Sequence, residues 1–183
     1  MVEISLRIAH ISDTHISPHG QFLPKEFDRA ISSINSLDPK ADIVIHSGDL
    51  TDNGVLSEYE LAVEKLKAIK PRILIAPGNH DERNFGNLLF QELIGPVDSE
   101  LRLGGVAIYV ADSPQPDRDE GRLGKRRQLL LEEKLIGLPG DVKKVIVFHH
   151  HLVSVPYSGR EVYVLEDAGD ILDMVLRHRV DLV

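Results

Sequence analysis

The chain has 183 residues, a length that fits a single domain spanning 1–183 and allows a substantial core. With 42% hydrophobic and 27% charged residues and no apolar run near about 18 residues, it has the composition of a soluble globular protein without a membrane span. A net charge of −8 argues against binding a nucleic-acid polymer, and the lack of cysteine and of a visible secretory signal predicts a cytoplasmic protein without disulfides.

Short apolar runs alternate with segments of helical periodicity along the chain. The apolar runs predict strands at 6–11, 42–46, 72–76, 106–111 and 142–148, and the first residues of another at 180–183. Helical spacing predicts helices at 24–37, 56–69, 85–94, 126–136 and 167–179. This alternation indicates an α/β protein with at least partly parallel strands, in which ligands gather at the carboxyl ends of the strands.

Four of the predicted strands run directly into potential metal ligands. The clusters are Asp13-Thr14-His15, Gly48-Asp49-Leu50-Thr51-Asp52, Gly78-Asn79-His80-Asp81 and His149-His150-His151. Oxygen donors combined with imidazole nitrogens suit Mn, Fe, Zn or Co, whereas Ca and Mg prefer oxygen ligands alone. Gly48 and Gly78 let the backbone bend sharply where a side chain must face a metal.

Each cluster alone has a plainer explanation. An Asp-x-His sequence is more often a polar strand end, Gly-Asp after a strand is usually a turn, and three successive histidines can be an exposed loop. All four clusters, each at a strand end, are much harder to explain as turns and loops. Their combination predicts a metal site built from the strand ends.

The signature blocks resemble those of a known superfamily. The segments 10–15 (HISDTH), 47–52 (SGDLTD) and 77–81 (PGNHD) are similar to successive motifs of the calcineurin-like metallophosphoesterases. The motif sequences are most similar to those of the branch of class III cyclic nucleotide phosphodiesterases and glycerophosphodiesterases. The segments 57–60 (SEYE) and 148–150 (FHH) also match that branch. The resemblance covers essentially the whole chain and implies a layered α/β/β/α sandwich that hydrolyses phosphate esters.

The resemblance also implies a role for individual residues. Asp13 and His15 would bind one divalent metal ion, Asn79 and His149 a second, and Asp49 would bridge the two, with Mn or Fe favoured over Zn or Co. The family's reaction is attack on a small phosphate diester by a hydroxide that bridges two metals.

Three further roles concern the substrate. His80 would contact the phosphate and protonate the leaving oxygen, and Asp81 would orient the His80 ring. Asn79, His80 and His150 are the expected substrate contacts. The resemblance favours His149 over His150 as the metal ligand, because His149 is the first histidine after the strand, where the family's ligand falls.

The family's last block, Gly-His-x-His, is missing after the strand pattern at 180–183, so the resemblance implies a C-terminally truncated domain. Two hypotheses follow. The chain is either a working phosphodiesterase, or an inactive, metal-poor scaffold or fragment of the same fold that is used for binding. The unpaired strand expected near Val183 also suggests a possible homodimer.

Other polar residues are given structural interpretations. His10 and His46 precede their motifs and are predicted to be packed histidines with local hydrogen bonds. The basic run 117–127 is interpreted as a solvated loop and helix start, with phosphate steering as the less favoured alternative.

Overall fold

The computed structural model describes residues 6–157 and 163–183. The strands are β1 (Ile8–Ile11), β2 (Ile43–His46), β3 (Arg72–Ile75), β4 (Ser99–Leu103), β5 (Val106–Val110) and β6 (Lys143–Val147). The helices are α1 (Pro24–Asn35), α2 (Leu56–Leu66), α3 (Gly86–Leu93), α4 (Gly124–Ile136) and α5 (Ala168–Arg177), with a short 3-10 helix, Arg83–Phe85, just before α3.

The strands form two three-stranded sheets. In the first sheet β2 lies between β1 and β3 and all pairs are parallel, with Ile8 opposite Ile43 and Ile43 opposite Arg72. In the second sheet β5 lies between β4 and β6, antiparallel to β4 and parallel to β6. The carboxyl ends of β1, β2 and β3 therefore lie along one edge of the first sheet.

Alternate residues of the strands divide the core into three layers. Ile43 and Ile45 of β2 pack with Val106 and Ile108 of β5 between the two sheets. On the outer face of the first sheet, the intervening residue Val44 packs against side chains of α1 and α2. The outer face of the second sheet packs in the same way against α4 and α5. The order of layers is α/β/β/α, which confirms the predicted sandwich.

The predicted elements are found, mostly a few residues shorter than expected, and β4 is an additional strand. The segment at 180–183 forms one parallel bridge beside β6, between Val145 and Leu182, where the start of a strand was predicted. The helix predicted at 85–94 begins one residue later, after the 3-10 helix. No helix in the described parts of the chain combines the length and apolar character that crossing a membrane requires.

Candidate metal centre

The loops after β1 and β2 continue the pairing of their strands. The N–H of Asp13 donates to the carbonyl of Gly48 at 3.0 Å, and the N–H of His15 donates to that of Asp49 at 3.0 Å. One residue further, Ile16 pairs with Thr51 in a parallel bridge. This continued ladder fixes the first two motifs side by side.

Three of the predicted metal ligands have a left-handed backbone. Their φ angles are 53° for Asp13, 44° for His15 and 54° for Asp49. A non-glycine residue pays a conformational cost in this region, and such residues cluster at functional sites, where the surrounding structure holds them in place. The three strained positions lie at the edge where the sequence predicted a site.

Asp81 joins the second and third motifs and is fully buried. Its carboxylate accepts hydrogen bonds from the backbone N–H groups of Leu50 (3.0 Å), Thr51 (2.8 Å) and Gly78 (2.8 Å), and from the Thr51 hydroxyl (2.9 Å). The predicted role of Asp81, orienting the His80 ring, does not match this geometry, because the carboxylate is engaged with these loop donors.

The carboxylate of Asp49 lies at the centre of the site. One oxygen, Oδ1, accepts a hydrogen bond from the backbone N–H of His80 at 3.0 Å. The other, Oδ2, lies 3.7 Å from Nε2 of His15, 4.0 Å from Nε2 of His80 and 3.5 Å from Nε2 of His149. Three imidazole nitrogens from three different motifs thus converge on one carboxylate oxygen.

Two groups of side chains here have the spacing of metal-ion ligands. One consists of His15, Asp49 and His80, and the other of Asp13, Asp49 and His149, with the donor atoms of each group within 4.8 Å of one another. Asp49 belongs to both groups, as expected for a bridging ligand. The grouping differs from the prediction, which placed Asp13 with His15 and kept His80 out of the ligand set. The mixed nitrogen and oxygen donors fit a divalent transition metal.

The ring of His149 is oriented by its other nitrogen. Nδ1 lies 2.9 Å from the carbonyl oxygen of Ser47, so it donates there and turns Nε2 toward Asp49. This second contact is the usual way in which a metal-binding imidazole is fixed. Of the two neighbouring histidines, His149 is the one that the structure brings to Asp49.

Asp49 and His149 shift each other's pKa. Burial lowers the pKa of the His149 imidazole, but its hydrogen bond and attraction to the Asp49 carboxylate outweigh burial and raise the pKa to about 9. Burial raises the pKa of the Asp49 carboxyl, yet its contacts with His149 and His80 lower it to about 2. A carboxylate held ionised in this way is suited to bind a cation.

His150, a predicted substrate contact, is buried in the wall of the site. Its Nδ1 lies 2.8 Å from the Ser113 hydroxyl, and its Nε2 lies 3.1 Å from the carbonyl oxygen of Asp119. A Cβ on Gly121 would approach the ring to 2.3 Å, so the loop packs closely on it. Burial lowers the pKa of His150 to about 4, so the ring is neutral. Both nitrogens are occupied by protein partners, which favours an anchoring role over substrate contact.

His80, the predicted acid, has two neighbours at the same nitrogen. Its Nδ1 lies 2.6 Å from the carbonyl oxygen of Asp52 and 2.9 Å from Nη1 of Arg83. A carbonyl only accepts hydrogen bonds and a guanidinium only donates them, so the two contacts favour opposite tautomers of the ring. In either tautomer, Nδ1 faces Asp52 and Arg83, and this orients the opposite nitrogen, Nε2, toward Asp49.

Two functional candidates, Arg83 and Asp119, were not selected from the sequence. Oδ1 of Asp119 accepts hydrogen bonds from Nη2 of Arg83 and from Nδ2 of Asn79, both at 2.9 Å. The second bond turns the amide nitrogen of Asn79 toward Asp119 and leaves its carbonyl oxygen as a possible metal ligand. Asp119 lies in the run 117–127, where the only signal was a mixture of charges.

His10 and His46 differ in their surroundings although both were predicted to be packed. His46 is fully buried, and its Nε2 lies 2.9 Å from the Thr14 hydroxyl, as predicted. For His10 the predicted packing is wrong, because the residue is exposed and faces the site. The predicted local hydrogen bond is present, since its Nε2 lies 2.8 Å from the Ser47 hydroxyl. His10 follows Ile8 on the inner face of β1, and that face is open at the site.

A cavity of about 1210 Å³ contains the site. The polar part of its lining includes all the metal-ligand candidates, together with His10, Ser47, His80, Arg83 and Asp119. The apolar part runs between the sheets and is lined by residues such as Ile45, Val145 and Val147. The space is large enough for a small organic phosphate next to the ligand cluster.

Comparisons with known proteins agree with the geometry. The family profile described as calcineurin-like phosphoesterase matches residues 6–183. A probable glycerophosphodiester phosphodiesterase of Arcobacter nitrofigilis is 34% identical over 79% of this chain and 56% of its own length. A probable cyclic nucleotide phosphodiesterase of Rhodococcus erythropolis is 30% identical over 92% of this chain and 60% of its own length.

The fold is also found in a solved structure. The purple acid phosphatase from yellow lupin seeds superimposes on 96% of this chain and 36% of its own, with a TM-score of 0.71 and 16% identity. At that identity the likeness concerns the fold alone. The chain spans little more than half the length of the two curated relatives described above.

Proposed function

The chain belongs to the calcineurin-like phosphoesterase family, and on that basis we propose that it hydrolyses phosphate esters with the help of two divalent metal ions. The arrangement around Asp49 supports this proposal most directly. The Nε2 atoms of His15 and His149 approach its Oδ2 at 3.7 and 3.5 Å, and the carboxylate belongs to both potential ligand groups. Metal ions held there would activate water and neutralise the charge of the phosphoryl group.

The proposed ligands are Asp13, His15, Asp49, Asn79 and His149, and Mn or Fe is the favoured metal. The ladder between the first two motifs and the four hydrogen bonds to Asp81 fix the backbone of the first three motif loops before a ligand arrives. A preorganised site of this kind loses little free energy to rearrangement during the reaction.

His80 is the proposed general acid. Its Nε2 points into the cluster, 4.0 Å from Oδ2 of Asp49, while its Nδ1 is held by Asp52 and Arg83. A proton on Nε2 can be delivered to the leaving oxygen of an ester that lies in the cavity. General acid catalysis typically contributes about 10²- to 10⁴-fold to a rate.

Small phosphate diesters are the proposed substrates. The names of the two bacterial relatives point to glycerophosphodiesters and cyclic nucleotides. Both classes join one phosphate group to small organic groups, and the apolar wall beside the metal-ligand cluster offers a surface for such groups. The net charge of −8 disfavours a nucleic-acid polymer as substrate.

Hydrolysis of bis(p-nitrophenyl) phosphate tests the proposal. We expect turnover that requires added Mn²⁺, stops with EDTA and falls by at least about 10³-fold in Asp49→Asn, because one side chain serves both ligand groups. Asp28→Asn on α1, an exposed carboxylate paired with Lys65 at 2.8 Å, is the matched control and should retain full activity.

Circular dichroism of each variant separates loss of chemistry from loss of fold. If the folded wild-type chain shows no turnover, the inactive-scaffold hypothesis is correct for this chain. If Asp49→Asn remains active, the assignment of Asp49 is wrong.

A further inference from the structure

Arg83 is the only arginine or lysine among the described residues that line the cavity. The other charged side chains there are aspartates, and the remaining ionisable groups are histidines and Tyr163. A guanidinium stays protonated at any working pH, so it is a fixed positive charge beside the place where a phosphate would lie. Arg83 is the first residue of the 3-10 helix that follows the third motif, three residues after His80.

The Arg83 guanidinium is aimed by two contacts. Nη1 lies 2.9 Å from Nδ1 of His80, and Nη2 donates to Oδ1 of Asp119 at 2.9 Å. These contacts use only some of its N–H donors, and guanidinium groups bind phosphate oxygens well because several donors lie in one plane. Arg83 is half-buried, so solvent weakens its charge only in part.

The position of Asp119 is fixed by the wall of the cavity. Its backbone carbonyl lies 3.1 Å from Nε2 of the buried His150, and Glu166 donates its backbone N–H to the carbonyl of Gly121 at 2.9 Å. The side chain of Asp119 therefore meets Arg83 from a loop that is attached to the second sheet. Its hydrogen bond from Arg83 lowers the pKa of the Asp119 carboxyl, which is ionised.

We propose that the Arg83–Asp119 ion pair is a specificity-determining element that favours singly charged phosphate diesters over doubly charged monoesters. The inference rests on the proposed function and extends it to the charge of the substrate. Arg83 attracts the phosphate and holds its orientation, while Asp119 cancels most of the net charge of Arg83. The pair thus provides hydrogen-bond donors without a full positive charge, which would bind a doubly charged monoester more strongly than a singly charged diester.

The charges of Arg83 and Asp119 predict that removing one or the other changes the preference for diesters over monoesters in opposite directions. Removing Arg83 leaves Asp119 as an unpaired negative charge, which repels a dianion more than a monoanion. Neutralising Asp119 leaves Arg83 uncompensated, which attracts a dianion more. Asp119→Asn keeps an oxygen that accepts hydrogen bonds from Asn79 and Arg83, so it changes charge with little change in shape.

The test compares two substrates that share a leaving group, bis(p-nitrophenyl) phosphate and p-nitrophenyl phosphate, at pH 8 with Mn²⁺. The measured quantity is the ratio of kcat/KM for the diester to kcat/KM for the monoester. We expect Arg83→Gln to raise this ratio about tenfold and Asp119→Asn to lower it about tenfold. Arg83→Lys keeps the positive charge and should leave the ratio within about threefold of the wild type. Both rates should fall, because lysine lacks the planar set of N–H donors of the guanidinium.

Arg102→Gln is the matched control, since Arg102 pairs with Glu100 at 3.0 Å on β4 and does not line the cavity. Its ratio should equal that of the wild type. A purely structural role for the ion pair predicts that both substrates lose the same factor in Arg83→Gln and in Asp119→Asn. Equal losses, or shifts of the ratio in the same direction for both variants, would overturn the inference.

A binding measurement separates this inference from the proposed function. Calorimetry of inorganic phosphate with the Mn²⁺-loaded protein at pH 8 should show weaker binding in Arg83→Gln and tighter binding in Asp119→Asn, each by about tenfold. If the wild-type chain fails to turn over either ester but these affinities shift as expected, the proposed catalysis is wrong and the charge selection is right. If phosphate affinity is the same in all variants, the charge selection is wrong.

Discussion

The pKa of each histidine in this protein depends on the groups that surround its ring. His149 is held beside a carboxylate, where attraction raises its pKa to about 9. His46 is enclosed, and burial lowers its pKa to about 4. The Gly48 N–H lies 3.3 Å from Nδ1 of His46, so Nε2 carries the proton and donates to the Thr14 hydroxyl, which donates to the carbonyl of Leu50. This series of hydrogen bonds from Gly48 to Leu50 is complete only when the His46 ring is neutral.

The neutral state of His46 makes stability depend on pH. The unfolded chain takes up a proton at this position near pH 6.5, whereas the folded chain resists protonation until pH falls to about 4. This contribution to stability is therefore present above pH 6.5 and is lost as pH falls toward 4. From pH 7 to pH 5 we expect the wild type to lose about 2 kcal/mol more free energy of unfolding than His46→Gln.

Urea unfolding in EDTA at the two pH values measures this difference. His19→Gln, which changes an exposed loop histidine, is the control and should lose as much stability as the wild type does. Equal losses in wild type and His46→Gln would show that another group causes the acid sensitivity.

The role of Asp81 can be decided by comparing stability with activity. Its carboxylate accepts hydrogen bonds from three backbone N–H groups and one hydroxyl. Asp81→Asn would turn an N–H₂ donor toward some of these donors, and we expect the free energy of unfolding to fall by about 3 kcal/mol. Chemical denaturation of the metal-free protein provides the measurement. A variant with unchanged stability and reduced kcat would instead support the role predicted from the sequence, orientation of His80.

At the scale of elements, the sequence predicted the strands that are buried on both faces, such as β2 and β5, because their apolar runs are continuous. It missed β4, whose residues alternate between polar and apolar and whose inner residue Leu101 is buried. The signal for this hairpin was present in Gly104 and Gly105, which both have positive φ angles between β4 and β5.

The candidate site was predictable to the extent that its residues follow strands. Asp13, Asp49 and His149 were found because parallel strands bring their carboxyl ends to one edge. Arg83 and Asp119 were not selected because their contact depends on the paths of two loops distant in sequence. The periodicity of the sequence does not encode the paths of these loops. The Asp119 loop, which follows β5, is fixed by His150, which follows the neighbouring strand β6.

The loops of the second and third motifs approach each other so closely at Gly78 that this position has no room for a side chain. A Cβ at this position would lie 2.1 Å from Oδ1 of Asp49 and 2.2 Å from its backbone nitrogen, and the backbone atom cannot move aside. We expect Gly78→Ala to lower the free energy of unfolding by about 3 kcal/mol and to abolish high-affinity metal binding. Gly169→Ala on α5 has no atom within 4 Å of the added Cβ and should raise stability by about 0.5–1 kcal/mol.

Thermal unfolding and Mn²⁺ titration of the two glycine variants give the comparison. Tight metal binding by Gly78→Ala would show that the loops can separate without disturbing Asp49.

At the scale of the whole molecule, the candidate ligands connect the two sheets. Asp13 and Asp49 follow strands of the first sheet, whereas His149 follows β6 of the second. Their donor atoms lie within 4.8 Å of one another, so an ion bound there links both halves of the sandwich at one edge. Because unfolding separates these halves, an ion that binds only the folded chain opposes unfolding.

This linkage predicts that Mn²⁺ raises the melting temperature. At a free concentration about 100 times Kd the gain is about 2.7 kcal/mol, which corresponds to roughly 5–10 °C for a chain of this size. Asp49→Asn should lose most of this increase, since Asp49 belongs to both ligand groups, whereas Asp28→Asn should keep it. Scanning calorimetry with and without EDTA measures the effect independently of any substrate. An equal increase in wild type and Asp49→Asn would place the bound ion elsewhere, and the two sheets would then be joined by the apolar layer and by direct hydrogen bonds between their loops, without an ion.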